Sequence, residues 1–204
     1  MSSPSPTSLT PVPGLTLRGF TPPLRLADFK LIAFDMDSTL INIECVDEIA
    51  DAAGRKAEVA AITEAAMRGE IADYKESLRQ RVALLEGVPV AALQNVYRTR
   101  LQLNPGAEAL VRACQSAGLK TLLVSGGFTF FTDRIRDRLQ LDFTRSNQLG
   151  VAKGKLTGRM VDQLVAEGSQ HIELPIGKKS LKTLILVPKL RAILAEAKAD
   201  IVHA

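Results

Sequence analysis

Short apolar runs and longer helical stripes alternate along the chain. Residues 30–34 and 119–124 are short apolar runs, which are typical of strands buried in a parallel sheet. Residues 142–144 begin a third candidate strand, and residues 151–161 alternate around two glycines, which predicts a hairpin. The segment 128–139 has the apolar spacing of a crossover helix. The pattern therefore predicts an α/β fold with a parallel sheet.

Several helical segments separate the first two predicted strands. The predicted helices cover about residues 46–53, 59–68, 71–86, 89–101 and 106–117, and glycine or proline marks most of their ends. The third helix carries the clearest apolar stripe, which consists of Ile71, Tyr74, Leu78, Val82 and Leu85. A crossover between parallel strands needs only one helix. We therefore predict a discontinuous core at residues 30–41 and 104–204, a helical insertion or cap at 42–103, and a flexible Ser/Pro-rich tail at 1–29.

The composition indicates an ordinary globular protein with one main core. Of the 204 residues, 46% are hydrophobic and 24% are charged. The net charge of +4 is dispersed and only 4% of the residues are aromatic, so we expect no nucleic-acid partner. No apolar run approaches the length of a membrane span, so we expect no membrane partner. The basic stretch at residues 178–191 indicates a solvated face, with an anion site as the less favoured alternative.

The two cysteines, Cys45 and Cys114, are too few and too far apart in sequence to indicate a disulfide framework or a metal cluster. They fit a reducing compartment. The first residues have neither the basic start nor the continuous apolar region of a signal peptide. We therefore expect a cytoplasmic protein, and no pattern in the chain indicates an oligomeric state.

Two acidic residues, Asp35 and Asp37, directly follow the first predicted strand. Residues i and i+2 of an extended chain project to the same side, so both carboxylates face one point at the strand end, where parallel sheets bind ligands. A divalent cation would offset their repulsion, and Mg²⁺ takes one or two carboxylates together with water and a substrate phosphate. The pair suits phosphoryl transfer in which one aspartate attacks phosphorus and the other moves the proton.

A second motif, Ser125-Gly126-Gly127, follows the second predicted strand. It offers a hydroxyl, a backbone that a phosphate can approach closely, and a helix beginning near Phe128. An ordinary turn with a helix cap is the alternative interpretation of this motif. Helix capping is likewise an alternative for the aspartate pair.

Six segments together resemble the phosphoserine phosphatases of the haloacid dehalogenase superfamily. They are FDMDST, ECVDEIA, EAAMRGE, YKESLRQRVALLEG, LLVSGGF and GKLTG, and they occur in the order typical of the family over residues 30–160. The resemblance implies a Rossmann-like core with an inserted helical cap, in agreement with the pattern above. It also implies Mg²⁺-dependent hydrolysis of the small molecule O-phosphoserine to serine and phosphate, through an aspartyl-phosphate intermediate, in serine biosynthesis.

The resemblance also implies roles for individual residues. Asp35 would be the nucleophile and Asp37 the general acid/base, and the Asp35 carboxylate and Asp37 main-chain carbonyl would bind Mg²⁺. Glu44 would pair with the substrate ammonium and Arg81 with the substrate carboxylate. The implied substrate contacts are Glu44, Met67, Arg81, Ser125, Gly126 and Lys179. Without the resemblance, Glu44 and Arg81 would be expected to be surface charges and Met67 a core residue.

The chain departs from the family pattern after residue 160. It contains no GDGxND sequence, the loop that completes the metal site in the family. The segment GKKSLKTL at 177–184 resembles the family's lysine helix, with Lys179 as the best match and Lys182 as a close alternative. We interpret the difference as an internal deletion that leaves the core incomplete near its C-terminus. We expect an apolar gap or an exposed sheet edge unless residues 184–187 replace the lost strand.

Three hypotheses about activity follow. The first is a phosphoserine phosphatase whose turnover is weakened by the loss of one metal carboxylate. The second is a catalytically inactive, truncated paralogue that binds a phosphorylated ligand or a partner protein. The third is a defective gene product. Metal-dependent phosphate release from phosphoserine, abolished by Asp35→Asn, would separate the first hypothesis from the others.

Overall fold

The computed structural model describes residues 25–161 and 201–203. Within that part of the chain, five strands form one sheet in the order β4-β3-β2-β1-β5. The strands are β1 (Leu31–Phe34), β2 (Lys120–Phe128), β3 (Phe143–Ala152), β4 (Lys155–Val161) and β5 (Ile201–His203). Strand β1 pairs in parallel with β2 and β5, and β2 pairs in parallel with β3. Because only β4 is antiparallel to its neighbour, the predicted α/β fold is confirmed.

The helices follow the predicted order, with ends that differ by a few residues. They are α1 (Cys45–Ala52), α2 (Lys56–Met67), α3 (Tyr74–Ala83), α4 (Val90–Thr99), α5 (Ala107–Ser116) and α6 (Thr129–Leu139). Four of them lie between β1 and α5, as the pattern predicts. The division into core and cap at residues 42–103 stays a prediction. No helix in the described ranges is both long enough and apolar enough to cross a membrane.

The strand ends and α6 bury the largest apolar side chains. Phe34 of β1, Phe128 of β2 and Phe131 of α6 are almost completely inaccessible to solvent. Phe131 and Ile135 lie four residues apart on one face of α6, and both are buried. Burial of each side chain of this size contributes roughly 1.5–3 kcal/mol. Since Phe34 pairs with Leu123, β2 continues past the end of β1 and lies beside the loop that follows it.

The apolar stripe predicted for the third helix is only partly confirmed. Leu78 and Val82 are buried on α3, and Leu85 is buried just beyond it. Tyr74, in contrast, is 61% exposed. The reason is its position as the first residue of α3, directly after the N-cap Asp73, where its ring lies at the end of the buried face. Tyr74 is therefore not a core residue.

The predicted hairpin at residues 151–161 is confirmed, although β3 begins well before it. Lys153 and Gly154 both have positive φ, 49° and 74°, as in the tight turns that suit the twist of a hairpin. The hairpin also contacts the segment between α3 and α4. Leu156 N–H donates to the Val88 carbonyl at 2.8 Å, and Gly87 N–H donates to the Leu156 carbonyl at 2.9 Å. The hairpin thus joins the helical region to the sheet.

The edge of the sheet beside β1 is paired. Leu31, Ile32 and Ala33 are in register with β5, whose strand is formed by the chain's last residues. We expected this edge to be left open or to be covered by residues 184–187. That expectation is wrong about the strand beside β1, because β5 hydrogen-bonds there. Residues 184–187 themselves lie outside the described residues.

The two linkers that connect the helical region to the sheet are hydrogen-bonded to each other. Ile41 and Leu103 form an antiparallel bridge, and Asn42 N–H donates to the Gln102 carbonyl at 3.0 Å. The side-chain amide of Asn104 donates to the carbonyls of Thr39 and Ile41, at 2.8 and 3.0 Å. The loop after β1 is therefore tied directly to the chain that returns from the helices.

The role of Asn104 in this tie is testable by Asn104→Ala. We expect the free energy of unfolding to fall by about 1–2 kcal/mol, because two carbonyl groups lose their donor and Ile41 is buried. Urea denaturation measures the change. Gln102→Ala in the same linker is the matched control, since that side chain is exposed. Equal losses in the two variants would contradict the assignment.

Candidate active site

The loop Asp35–Leu40 separates its apolar from its acidic side chains. Met36 and Leu40 are buried, whereas Asp35 is exposed and Asp37 is half-buried. A hydrogen bond from Ile41 N–H to the Met36 carbonyl, at 3.1 Å, closes the loop across five residues. Ser38 has a positive φ of 54°, a conformation that is unusual for a residue with a side chain and is enriched at functional sites. The burial of Met36 thus leaves both aspartates at the open end of β1.

The two aspartates have different surroundings. Asp35 is exposed, and one of its oxygens accepts a hydrogen bond from Thr39 Oγ1 at 3.3 Å. Asp37 Oδ1 accepts a hydrogen bond from Cys45 N–H at 3.3 Å. Burial raises the pKa of Asp37 from 3.8 to about 6, and the charges of Glu44 and Asp35 add to the rise. Asp37 can therefore exchange a proton near neutral pH, as a general acid/base must.

Ser125, Gly126 and Gly127 lie beside the aspartates, but in a different conformation from the predicted one. The strand predicted to end at residue 124 is longer, because β2 continues through this segment to Phe128, and α6 begins at Thr129, close to the predicted helix start. The alternative interpretation of the motif as an ordinary turn is therefore wrong. A Cβ atom at Gly127 would lie 2.9 Å from Asp37 Oδ2 and 3.0 Å from Ser125 Oγ. A larger residue here would push the Asp37 and Ser125 side chains away, so glycine lets β2 approach Asp37 closely. Gly127 of the second motif therefore lies next to Asp37 of the first.

Glu44 is held beside the aspartates by the same loop. It is the N-cap residue of α1, and its Oε1 accepts a hydrogen bond from Ser38 Oγ at 2.7 Å. Its charge contributes to the raised pKa of Asp37, which places the three carboxylates in one electrostatic environment. Glu44 is therefore not an isolated surface charge. Sequence reasoning missed Ser38, although its position between Asp37 and Glu44 in the sequence is a usable signal.

Arg81 reaches the site through Tyr74. The guanidinium carbon of Arg81 lies 6.0 Å from the centroid of the Tyr74 ring. The Tyr74 hydroxyl lies so close to Gly126 that a Cβ atom there would collide with it. Tyr74 is largely exposed, but its hydroxyl is desolvated beside Gly126, and this raises the pKa of Tyr74. The Arg81 charge opposes that rise, and the charges of Asp37 and Asp35 add to it. Tyr74 is thus a site residue that its apolar spacing concealed.

Arg81 also lies within electrostatic reach of α1. Burial raises the pKa of Asp47, and the Arg81 charge is the largest influence opposing that rise. Along its own helix, Arg81 Nε donates to the Ser77 carbonyl at 3.4 Å. Arg81 therefore stands between α1 and the Tyr74 ring.

The structure describes the predicted substrate contact Met67 but not the predicted lysine. Met67 is the last residue of α2 and is 84% exposed, so the expectation of a core residue from helical spacing is wrong. Its exposure leaves it available for contact with a ligand. Lys179 and its alternative Lys182 lie outside the described residues, as does the stretch in which the family's metal loop would follow.

The described residues provide two candidate metal ligands at the end of β1. Mg²⁺ prefers carboxylate and carbonyl oxygens, and Asp35 and Asp37 offer such oxygens directly after β1. Asp35 is exposed, and Thr39 is a weak partner at 3.3 Å, so its carboxylate is accessible to a cation. Among residues 25–161 and 201–203, no group of three or more His, Cys, Asp or Glu side chains is arranged to hold a metal ion. The donors present fit Mg²⁺ only together with water, substrate oxygens or further ligands.

Curated proteins with high similarity to the chain are named phosphoserine phosphatases. The protein of Polaromonas sp. (strain JS666) is 77% identical over 158 residues, which are 78% of this chain and 66% of that protein. The protein of Albidiferax ferrireducens is 72% identical over the same length, with the same coverage. The chain therefore spans 66% of the length of these relatives.

Solved structures resemble the fold as well as the sequence. A substrate-bound phosphoserine phosphatase complex aligns with a TM-score of 0.68 and 32% identity, over 86% of this chain and 76% of that chain. A phospho-aspartyl intermediate analogue of phosphoserine phosphatase aligns with a TM-score of 0.60 and 41% identity, over 65% of this chain and 62% of that chain. The family model of haloacid dehalogenase-like hydrolases matches residues 32–174. With its α/β sheet and the aspartate pair at the end of β1, the chain belongs to the haloacid dehalogenase-like hydrolase family.

Proposed function

We propose that the chain hydrolyses O-phosphoserine to serine and phosphate through an aspartyl-phosphate intermediate, as a Mg²⁺-dependent enzyme of serine biosynthesis. The observation that carries the proposal is the close approach of Gly127, next to the Ser125 hydroxyl, to Asp37 beyond the end of β1. The names of the relatives, at 77% and 72% identity, support the same reaction. They also favour an enzyme over an inactive paralogue.

Asp35 and Asp37 divide the chemistry according to their surroundings. The exposed Asp35 carboxylate attacks phosphorus, the bond from phosphorus to the serine oxygen breaks, and Asp37 gives its proton to that oxygen. Asp37 then takes a proton from water, whose oxygen attacks the phosphorus of the acyl phosphate. Phosphate leaves and the Asp35 carboxylate is restored. A pKa of about 6 suits Asp37 to both proton transfers.

Hydrogen-bond donors and the metal would hold the phosphate. Ser125 and Gly126 lie beside the aspartates and form the phosphate side of the site, and we propose Lys179 as a further cation there. The Asp35 carboxylate and the Asp37 main-chain carbonyl would hold Mg²⁺. When bound, Mg²⁺ reduces the repulsion between the phosphate and the attacking carboxylate.

The helical cap at residues 42–103 would recognise the serine part of the substrate. Glu44 lies beside Asp37 and suits an ammonium group, and Arg81 suits a carboxylate through its two parallel donors. Met67, exposed at the end of α2, would cover the substrate. Tyr74 closes the space between Arg81 and Gly126.

The reaction is tested by Asp35→Asn. We expect phosphate release from phosphoserine to fall by at least about 10³-fold, because the variant keeps the shape of the side chain but lacks the attacking carboxylate. Rapid quenching and mass spectrometry should detect the added phosphoryl group in the native protein alone. Asp28→Asn, at an exposed aspartate before β1, is the control and should retain activity. Turnover that persists in Asp35→Asn would refute the mechanism.

The raised pKa of Asp37 predicts a pH-dependent gain in stability for Asp37→Asn. The folded protein holds the Asp37 proton up to about pH 6, and the unfolded chain releases it near pH 3.8, so ionisation of Asp37 destabilises the folded protein as the pH rises. In metal-free buffer, we expect Asp37→Asn to be about 1–3 kcal/mol more stable than the native protein above pH 7, with the difference vanishing below about pH 4. Urea denaturation across this pH range measures it. A constant difference at all pH values would contradict the assignment.

Recognition of the substrate ammonium is tested by Glu44→Gln. The variant keeps an acceptor for Ser38 but loses the charge, so we expect kcat/KM for phosphoserine to fall about 10–100-fold. Hydrolysis of p-nitrophenyl phosphate, which has no ammonium group, should change little. Glu58→Gln on α2 is a matched control at an exposed glutamate. Equal losses on both substrates would show that Glu44 acts on the chemistry or the fold instead.

A further inference from the structure

The pairing register between strands β2 and β3 shifts beside the site. Val124 is opposite Arg145, and Phe128 is opposite Asn147. Three residues of β2, Ser125–Gly127, therefore span the length that β3 covers with Ser146 alone. An excess of two residues is a bulge, which interrupts the hydrogen-bond ladder of the sheet and bends the strand that carries it. The phosphate side of the proposed site is built on that bulge.

At the bulge, where the backbone hydrogen bonds between the two strands are interrupted, a side chain of β3 provides a hydrogen bond instead. The Asn147 amide, Nδ2, donates to the Gly126 carbonyl at 2.8 Å. The orientation of this amide follows from its partner, since a carbonyl oxygen can only accept. On the other side of the same peptide plane, Gly127 N–H donates to Ser125 Oγ at 2.9 Å. The carbonyl and the N–H of a trans peptide point in opposite directions, so one rigid plane is held from both sides.

Because residues 126 and 127 are both glycines, the peptide between them needs support from neighbouring residues. Gly126 and Gly127 have no side chains that pack, and glycine populates more backbone conformations than any other residue. A Cβ at Gly126 would displace the Tyr74 hydroxyl, and one at Gly127 would crowd Asp37, so glycine keeps both side chains in their present positions. The direction of the peptide between them must therefore be set from outside the bulge. Asn147 is placed to set it.

We propose that Asn147 is a positioning residue for phosphate binding. By holding the Gly126 carbonyl toward β3, it keeps the Gly127 N–H and the Ser125 hydroxyl on the side of Asp37. The inference rests on the proposed function in that the anion held there is the phosphate of the substrate or product. Asn147 itself acts through the backbone.

The neighbouring residue on β3 provides a matched control. Successive side chains of a strand point to opposite faces, and the Ser146 hydroxyl hydrogen-bonds to Thr132 Oγ1 of α6 at 2.7 Å. Asn147→Ala and Ser146→Ala each remove one partly buried hydrogen bond from the same strand. Only the first touches the bulge, so a general weakening of β3 should appear in both variants.

Two measurements on the full-length chain test the proposal. The first is the hydrogen-exchange rate of the Gly127 amide by NMR, which we expect to rise about 10-fold in Asn147→Ala and to stay unchanged in Ser146→Ala. The second is the Kd of inorganic phosphate in the presence of Mg²⁺. We expect it to rise about 10-fold in Asn147→Ala and to change less than 2-fold in Ser146→Ala.

A third variant gives a signature that loss of stability alone would not produce. In Asn147→Asp, an ionised carboxylate repels the Gly126 carbonyl, whereas a protonated one can again donate to it. Because partial burial next to a carbonyl oxygen raises the pKa of such a carboxyl group, we expect the ratio of its phosphate Kd to that of the native protein to fall toward 1 as the pH is lowered from 7.5 to about 4.5. A ratio that does not change with pH would count against the role.

The outcomes separate this proposal from the proposed function. Equal Gly127 exchange in Asn147→Ala and Ser146→Ala would overturn the positioning role, whatever the activity of the chain. If the native chain neither binds phosphate nor hydrolyses phosphoserine, the proposed function fails. In that case the Gly127 exchange rate still decides whether Asn147 holds the peptide.

Discussion

The distance between Asp37 and the backbone of β2 is the constraint on which the site depends. A Cβ atom on residue 127 would lie only 2.9 Å from Asp37 Oδ2 and would displace that carboxylate, so glycine at this point preserves the arrangement. Glycine allows the approach but provides no packing. The surrounding structure supplies the missing order through the bulge in β2, the Asn147 amide and the Ser125 hydroxyl. A close contact between two strands thus determines several features that look unrelated in sequence.

The need to place groups around the aspartates also explains how the helical region is connected to the sheet. A substrate bound to Asp35 would need recognition groups above the strand ends, and the paired linkers at Ile41 and Leu103 bring the helices back to that place. Glu44 and Tyr74 lie in different helical segments: the Glu44 charge raises the pKa of Asp37, and the Asp37 charge raises the pKa of Tyr74. The β3–β4 hairpin supports the arrangement from the other side through its hydrogen bonds to Val88 and Gly87. The site is therefore formed where three separate segments meet.

Local sequence patterns predicted the strands and helices of this fold better than they predicted the contacts between them. The apolar runs at residues 30–34 and 119–124 are strands because their side chains are buried on both faces, and burial is what an apolar run records. The spacing of Tyr74 indicated a core position, but it could not show that α3 begins at that residue. Asn147 gave no signal, because its partner is a backbone carbonyl 21 residues away and any residue type can supply one. The strand beside β1 was likewise not predictable from a stretch as short as Ile201–His203.

Two neighbouring carboxylates can perform opposite tasks only if their surroundings differ. Asp35 is exposed and stays accessible to phosphorus, whereas Asp37 is half-buried behind Gly127 and close to Glu44. Burial and the Glu44 charge both favour the protonated form of Asp37, so the residue that we propose as the proton donor is the one beside which β2 lies. In the proposed mechanism, the glycine that lets β2 lie here therefore contributes to the difference between nucleophile and acid. In the same mechanism, glycine at position 127 affects proton transfer as well as phosphate binding.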